Sequence, residues 1–278
     1  MNGYTIIIVT HNSDRHIHKC IANIDAQTKK ADRIVISDSG SSDLSYLNPY
    51  RDRADIHILA DQHDIGFCRG NNAAMPHVST ESSFVLFLNP DAFLEPTFCA
   101  EAIKTMALPS NTKVGMLSGQ LLGYDINSDT PTGLYDSTGI FRTWYGHWYD
   151  RDQGKAINPA TYNHVEEVPA LCGALLFCRR QAIQDVLLRG SEVFDSSFYM
   201  YKDDIDLSLR MRRAGWKLLF VPALKAYHCR GWQVDRRKMR LEYRLMSARN
   251  EIRVNARDCW LGLPYSLSKY YAVKAFDM

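Results

Sequence analysis

The chain has no stretch approaching the roughly 18 consecutive apolar residues that a membrane-spanning helix needs. No charged leader followed by a long apolar core precedes the first apolar segment, so no secretion signal is expected and the cytoplasm is the expected location. The seven cysteines (Cys20, Cys68, Cys99, Cys172, Cys178, Cys229 and Cys259) include no CxxC pair, and their number is odd. That argues against a disulfide framework or a structural zinc site and suits reduced thiols used as small apolar packing groups. Internal repeats and low-complexity linkers are also missing. What remains is an ordinary globular composition, 46% hydrophobic and 23% charged over 278 residues, enough for one large α/β domain or two small ones.

Charge is unevenly placed. Between Lys225 and Asp258 ten Lys or Arg face four Asp or Glu, a net +6 in a chain whose total is +2. A basic C-terminal segment on a slightly acidic body suggests an anionic surface or partner.

Apolar β-branched runs at residues 4–10, 33–37, 55–59 and 84–88 read as buried parallel strands. Residues 15–27 have helical spacing, with Ile17, Cys20, Ile21 and Ile24 on one face. A helix is expected from about Asn71, after a turn flanked by Gly66 and Gly70. Residues 170–178 and 216–221 read as further strands, the second stopped by Pro222, and 204–214 as a helix ended by Gly215. Residues 123–165, rich in Gly, Asp, Asn and aromatics, have poor periodicity and read as a long loop or small hairpin excursion. Strands alternating with helices predict a parallel α/β sheet whose ligands bind beyond the strands' carboxyl ends. The polar tips fall there: Thr10-His11-Asn12, Asp38-Ser39 and Asn89-Pro90-Asp91.

The most informative segment is Phe198-Tyr-Met-Tyr-Lys-Asp-Asp-Ile-Asp-Leu-Ser-Leu-Arg210. It crowds Asp203, Asp204 and Asp206 beside apolar bulk. Carboxylates that repel one another and lose solvent are raised in pKa, which makes them able to take a proton near neutral pH. The plain alternative is an acidic helix N-terminus favoured by the helix dipole.

In order along the chain stand Thr10-His-Asn12, Ser37-Asp-Ser-Gly-Ser-Ser-Asp43, Asp64-Ile-Gly-Phe-Cys-Arg-Gly-Asn-Asn72 and Leu88-Asn-Pro-Asp91. Cys172-Gly-Ala174, Phe194-Asp195, Asp203-Asp-Ile-Asp-Leu207, Arg213-Ala-Gly215, Val221-Pro222 and His228 follow. Each piece is weak alone, but the ordered series resembles family 2 inverting glycosyltransferases of the GT-A type, and within them bacterial rhamnosyltransferase-like enzymes. The resemblance covers residues 5–231. It implies a GT-A-type, Rossmann-like, mostly parallel sheet flanked by helices over residues 1–232, with a basic amphipathic helical tail over 233–278.

By that resemblance Asp38 would take the N3–H of a uracil or thymine base, with Thr10 and Asn12 lining the pocket. The plain alternative for Asp38 is a turn-forming Asx residue. Gly66 permits close backbone approach, while Arg69 and Asn72 would reach phosphate or ribose. A helix N-cap is the plain alternative for the asparagine. Asn89 and Asp91 occupy the family's Asp-x-Asp metal motif, with Asn in place of the first Asp. Asp91 and His228 would then hold Mn²⁺ or Mg²⁺ against the donor diphosphate, His228 favouring Mn²⁺. Asp204 matches the general base and Asp203 its acidic neighbour, and Lys202 beside them would lower a carboxyl pKa. Asp206, Trp144 and Trp148 are candidate acceptor contacts, since sugar C–H faces stack on indole rings.

The implied activity moves a sugar, L-rhamnose from dTDP-rhamnose, onto a glycan or lipid-linked acceptor of a bacterial surface polysaccharide. The basic tail would lie on the cytoplasmic membrane face or pack on the catalytic domain. The competing readings are a transferase using a UDP-hexose and a non-catalytic sugar-nucleotide-binding or scaffold protein, which only the Asn89 substitution favours and the intact Asp204 opposes. A nucleotidyltransferase is disfavoured by the first strand–helix turn, which lacks a Gly-rich, Arg/Lys-bearing signature. Nucleic-acid binding has only the basic tail behind it.

Overall fold

A computed structural model describes residues 3–230 and 239–276 of the chain. The strands are β1 (Gly3–Thr10), β2 (Arg33–Ser39), β3 (Ile56–Asp61), β4 (Ser82–Leu88), β5 (Ala92–Leu94), β6 (Val114–Asp125), β7 (Thr130–Ser137), β8 (Ile140–Arg142), β9 (Trp148–Asp150), β10 (Glu166–Glu167), β11 (Leu175–Arg179) and β12 (Lys217–His228). The helices are α1 (Asp14–Asp25), α2 (Gly66–Ala74), α3 (Phe98–Ala107), α4 (Arg180–Gln184), α5 (Asp203–Arg213), α6 (Leu241–Asp258) and α7 (Leu263–Phe276).

One large sheet runs in the order β10-β12-β6-β11-β4-β1-β2-β3, with β5 paired to β12 and β7 to β6. Strands β3, β2, β1 and β4 are mutually parallel, as the continuous apolar runs predict; β11 enters antiparallel between β4 and β6, and β12 lies parallel to β6. The side chains of Ile6, Ile7, Ile8, Val35, Ile36, Val85, Leu86 and Phe87 are wholly excluded from water or nearly so, because helices cover both faces.

Two expectations about elements change. Strand β12 runs on through Pro222 to His228, with a register shift against β6 between Phe220 and Lys225. Proline removes a ladder donor, and an irregular stretch is where a strand tolerates that loss. The continuation matters, because it carries His228 to the strand's end, paired with Ala92 beside Asp91. The helix expected from Asn71 begins earlier, at Gly66, whose φ of +77° only glycine adopts without strain. The 123–165 excursion resolves into part of β6, then β7 and the β8–β9 hairpin.

The expected division at residue 232 falls among residues 231–238, outside the described residues. Helices α6 and α7 beyond it are docked on the body. Asn250, Glu251 and Asn255 of α6 are buried to within 1% and bond to the 198–201 loop and to the hairpin at 146–148. Two of the tail's arginines serve the same docking: Arg253 donates to the Ser197 carbonyl and Arg257 pairs with Asp195 and Asp206. Those two cations are therefore spent inside the molecule. Among the described residues no helix is long and apolar enough to cross a membrane.

Candidate active site

Parallel strands bring the polar tips of β1, β2 and β4 to one edge. Thr10 and Asp38 are register partners, and Thr10 Oγ1 donates to Asp38 Oδ2 at 3.0 Å. The Asp38 carboxylate is 1% exposed. It also accepts from Ser41 N (2.8 Å), Ser41 Oγ (2.5 Å) and Tyr46 Oη (2.6 Å). Three of these donors fall on Oδ2, leaving Oδ1 with one and room for another. Asn12, at φ +48°, accepts through Oδ1 from Ser42 N and Ser42 Oγ, both at 2.9 Å, and so ties the β1 tip to the polar loop after β2.

At the next turn the Gly66 N–H donates to Ser39 Oγ (2.9 Å) and Asp64 Oδ1 (3.0 Å), and a Cβ on Gly66 would stand 2.4 Å from the Tyr199 ring. Arg69 is exposed on α2. Asn72 departs from the expectation that it reaches the donor. Its Oδ1 accepts from Val193 N (2.9 Å) and Phe194 N (3.0 Å), and its Nδ2 donates to the Phe194 carbonyl (2.7 Å). The amide is consumed in pinning the 193–194 backbone.

Beyond β4, Asn89 and Asp91 meet His228. Asp91 Oδ1 lies 3.3 Å and Asn89 Nδ2 3.5 Å from His228 Nε2. The other ring nitrogen, Nδ1, donates to Asp136 Oδ2 at 2.8 Å, and the Asp136 side chain is wholly buried. Burial alone would lower the His228 pKa; the Asp91 and Asp136 carboxylates outweigh it and push it up to about 10. Burial would likewise raise the Asp91 carboxyl, but His228 holds it below the usual carboxylate range.

Among the described residues no group of three or more His, Cys, Asp or Glu side chains forms a ready-made metal cluster. The donors present nonetheless fit a divalent cation. One carboxylate and one imidazole converge, and the imidazole's far nitrogen is fixed by a buried carboxylate, the usual outer-shell partner of a metal-binding histidine. Such a two-ligand set leaves positions for phosphate oxygens.

The third cluster lies at the start of α5. Residues Tyr199, Tyr201 and Lys202 all have left-handed backbones (φ +63°, +68° and +66°), each costing roughly 1 kcal/mol or more for a non-glycine residue. The strained turn delivers Asp203 and Asp204 to the helix N-terminus. Burial, with the Asp204 charge added, holds the Asp203 carboxyl well above the usual range. Asp204 is half-buried. Its Oδ2 accepts from Gly173 N and its Oδ1 from Ile205 N, both at 2.9 Å. Burial and the nearby Asp150 also raise its pKa, against the lowering influence of the Gly173 N–H and Lys202.

Arg230 links the His228 and Asp204 clusters. Its Nη1 stands 2.9 Å from Asp150 Oδ2 and 3.5 Å from Asp136 Oδ1, and its Nη2 donates to Cys172 Sγ at 3.5 Å. Asp136, Asp150 and Arg230 were not legible as site residues. Asp136 and Asp150 lie in the aperiodic aromatic stretch, and the network gathers them only through β7, β9 and the end of β12.

Two expected acceptor contacts are redirected. Asp206 is 4% exposed, and its carboxylate is occupied by Arg210 Nε and Arg257 Nη1, each at 2.8 Å, so it ties α5 to α6. Trp148 is 3% exposed, with its N–H groups donated to Glu251 and Asn255 of α6, so it is core beneath the tail helix. Trp144, at the hairpin tip, is 88% exposed.

A family model described as Glycosyl transferase family 2 matches residues 5–153, and one described as Glycosyl transferase family group 2 matches residues 84–247. The chain is similar to the rhamnosyltransferase WbbL of Escherichia coli (strain K12), 26% identical over 238 residues that cover 80% of this chain and 82% of that protein. It is 22% identical over 240 residues to the N-acetylglucosaminyl-diphospho-decaprenol L-rhamnosyltransferase of Mycobacterium tuberculosis, covering 80% of this chain and 75% of that one. Among solved structures it superposes on the mannosyltransferase PcManGT of Pyrobaculum calidifontis, in complex with GDP-Man and Mn²⁺. The TM-score there is 0.61 at 17% identity, over 98% of this chain and 75% of the other. GalNAc-T7 with UDP, GalNAc and Mn²⁺ gives a TM-score of 0.68 at 16% identity, over 99% of this chain, which spans half the length of that one. These likenesses show the GT-A fold.

Proposed function

The chain belongs to glycosyl transferase family 2 and is a glycosyltransferase, and on that premise we propose that it moves L-rhamnose from dTDP-rhamnose, with inversion, onto a lipid-linked acceptor in bacterial surface glycan synthesis. The observation that carries the reading is the pairing of a raised, half-buried Asp204 with the Asp91–His228 pair at the same edge of the sheet. The donor and acceptor classes follow the names of the two rhamnosyltransferases to which the chain is similar.

Thymine would sit against the β1 and β2 tips, where Asp38 Oδ1 retains acceptor capacity for its N3–H and Thr10 and Asn12 shape the wall. Arg69 faces solvent from α2 and would approach the diphosphate over Gly66. Asp91 and His228, with Asn89 beside them, would hold Mn²⁺ or Mg²⁺. A cation held there would neutralise charge on the departing nucleoside diphosphate. Asp204 takes the proton of the acceptor hydroxyl as that oxygen attacks the anomeric carbon from the face opposite the leaving group. The C–O bond to the diphosphate breaks as the new glycosidic bond forms, and the proton rests on Asp204. The backbone donors Gly173 N–H and Ile205 N–H keep the carboxylate aimed, and Asp203 supplies the buried acidic neighbour.

Trp144 would meet the acceptor at the hairpin tip. That tip is fastened to the α6–α7 turn, where a Cβ on Gly146 would stand 2.4 Å from Gly262 Cα. Trp260 (74% exposed) and Leu261 (61%) lie in the same turn, and we place the lipid end of the acceptor along this apolar edge, which also supplies any contact with the membrane face.

Calorimetric titration with dTDP- and UDP-sugars, with and without Mn²⁺, tests the reading. Binding that requires the metal and prefers dTDP-rhamnose is expected. Folded protein that binds no sugar nucleotide would overturn the proposal in favour of a scaffold role.

A further inference from the structure

The strained turn before Asp203 is held by a residue of the tail. Asn250 of α6 is 1% exposed, and its Nδ2 donates to the carbonyls of Phe198 (3.0 Å), Met200 (2.9 Å) and Tyr201 (3.0 Å), two amide hydrogens shared among three acceptors. Its Oδ1 accepts from Arg253 Nη1 at 2.9 Å, and the same guanidinium donates to the Ser197 carbonyl. One helical turn of α6 therefore grips four carbonyls between residues 197 and 201. The gripped stretch contains the left-handed residues Tyr199 and Tyr201 and leads into left-handed Lys202. Left-handed tyrosines and lysines persist only where surroundings over-determine them. Elsewhere the loop is held by Tyr199, whose carbonyl accepts from Cys68 N at 3.0 Å and whose hydroxyl donates to Asp64.

We infer that Asn250 is a positioning residue for the reaction, fixing from the C-terminal helix the backbone turn that aims Asp204 at the acceptor hydroxyl. The inference rests on the proposal that Asp204 is the base. It makes α6 part of the catalytic apparatus rather than an appendage to it. Asn250 itself bonds to none of the residues proposed to hold the donor, and Tyr199, which abuts Gly66, keeps its own bonds to Cys68 N and Asp64, so the two kinetic constants should separate. Removing it lets the 199–202 backbone relax from its left-handed conformation and turns the Asp204 carboxylate away, while the Asp38 and Asp91–His228 sites stay as they are. Misplacing a reacting group by about 1 Å costs on the order of 10²-fold in rate.

The test compares Asn250→Ala with wild type and with Asp204→Asn in the full chain, well below the melting midpoint of each. The expected result for Asn250→Ala is a kcat lower by about 10²-fold with the calorimetric Kd for dTDP-rhamnose within about twofold of wild type. Hydrogen exchange at amides 199–205 should speed up. Helix α6 keeps its other anchors at Glu251, Asn255 and Arg257, so the variant should fold. Arg253→Ala, which cuts only the outer end of the grip, gives a smaller loss of the same kind and decides the matter if Asn250→Ala is not folded. A folded Asn250→Ala, or Arg253→Ala in its place, with wild-type kcat beside an inactive Asp204→Asn overturns the positioning role alone. An active Asp204→Asn overturns the base assignment and this inference with it. Loss of kcat accompanied by equal loss of donor affinity also overturns it, because the residue would then be supporting the whole fold.

Discussion

Glu251 is the charge on which docking of the C-terminal helices turns, and neutralising it has a calculable effect. Its side chain is wholly buried; Oε1 accepts from Trp148 N at 3.1 Å, His147 Nδ1 stands 3.5 Å away, and Lys269 of α7 donates to Oε2. Burial alone would raise its carboxyl, yet His147, Lys202 and Lys269 outweigh that and hold it at about 2 instead of 4.5. Each tenfold change in proton affinity is worth about 1.4 kcal/mol, so the ionised carboxylate contributes about 3 kcal/mol at neutral pH. Glu251→Gln keeps the shape and the acceptor for Trp148 N–H but removes the charge. It should lower stability by about that amount at pH 7, a drop of roughly 6–12 °C in Tm for a chain of this size.

The sign with pH follows from the depressed folded-state value. The unfolded chain binds the proton first, so the contribution is complete above about pH 4.5 and is lost as pH falls toward 2. The difference between wild type and Glu251→Gln should therefore narrow to about 2 kcal/mol at pH 3.5. Urea melts followed by tryptophan fluorescence and circular dichroism at pH 7, 5, 4 and 3.5 give the curve. A gap that stays constant across this range would refute the electrostatic account and leave only altered packing.

Asp204→Asn should bind donor normally and lose about 10²–10⁴-fold in kcat, the usual contribution of one aligned base. The proposed base role requires Asp204 unprotonated and its pKa is raised, so the wild-type kcat should decline on the acid side above the ordinary carboxylate range, and a profile flat down to pH 4 would contradict that. Asp91→Ala should weaken Mn²⁺ and donor together, by more than the roughly 10–100-fold that losing an outer-shell partner costs; unchanged Mn²⁺ titrations would remove Asp91 from the ligand set. Asn72→Ala strands the Val193 and Phe194 N–H groups and should cost about 2 kcal/mol in denaturant melts. Loss of donor affinity without loss of stability would show instead that Asn72 touches the nucleotide.

Much of the candidate site is readable because its parts are local. Thr10, Asp38, Asn89 and Asp91 each end a continuous apolar run, and a parallel sheet lines up the ends of such runs whatever lies between them. The crowding of Asp203 and Asp204 is local as well, and so is the direction of their pKa shifts. Asp206 shows where that reasoning stops. Its sequence neighbours resemble those of Asp204, but two positions along α5, about 200° of rotation, turn it to Arg210 and bring it under Arg257, fifty-one residues away. Trp144 and Trp148 are four residues apart in one aromatic run, yet one is in solvent and the other is core, because only the second meets α6.

The sequence by itself determined the family, the order of the parallel strands' polar tips and the pair of acidic residues at the start of α5. The family rests on resemblance to an ordered series of motifs from residue 5 to 231; strand periodicity and residue chemistry suffice for the other two, since they depend on neighbours within a few positions. Only the tertiary structure decided that Asp136 stands behind His228 and that Arg230 bridges Asp136 and Asp150. It alone spends Asn72 on the backbone at 193–194 and lets a helix some fifty residues downstream hold the turn before Asp203. Those contacts join residues about 50 to 120 positions apart, and long-range partners of this kind leave no periodic trace in the chain.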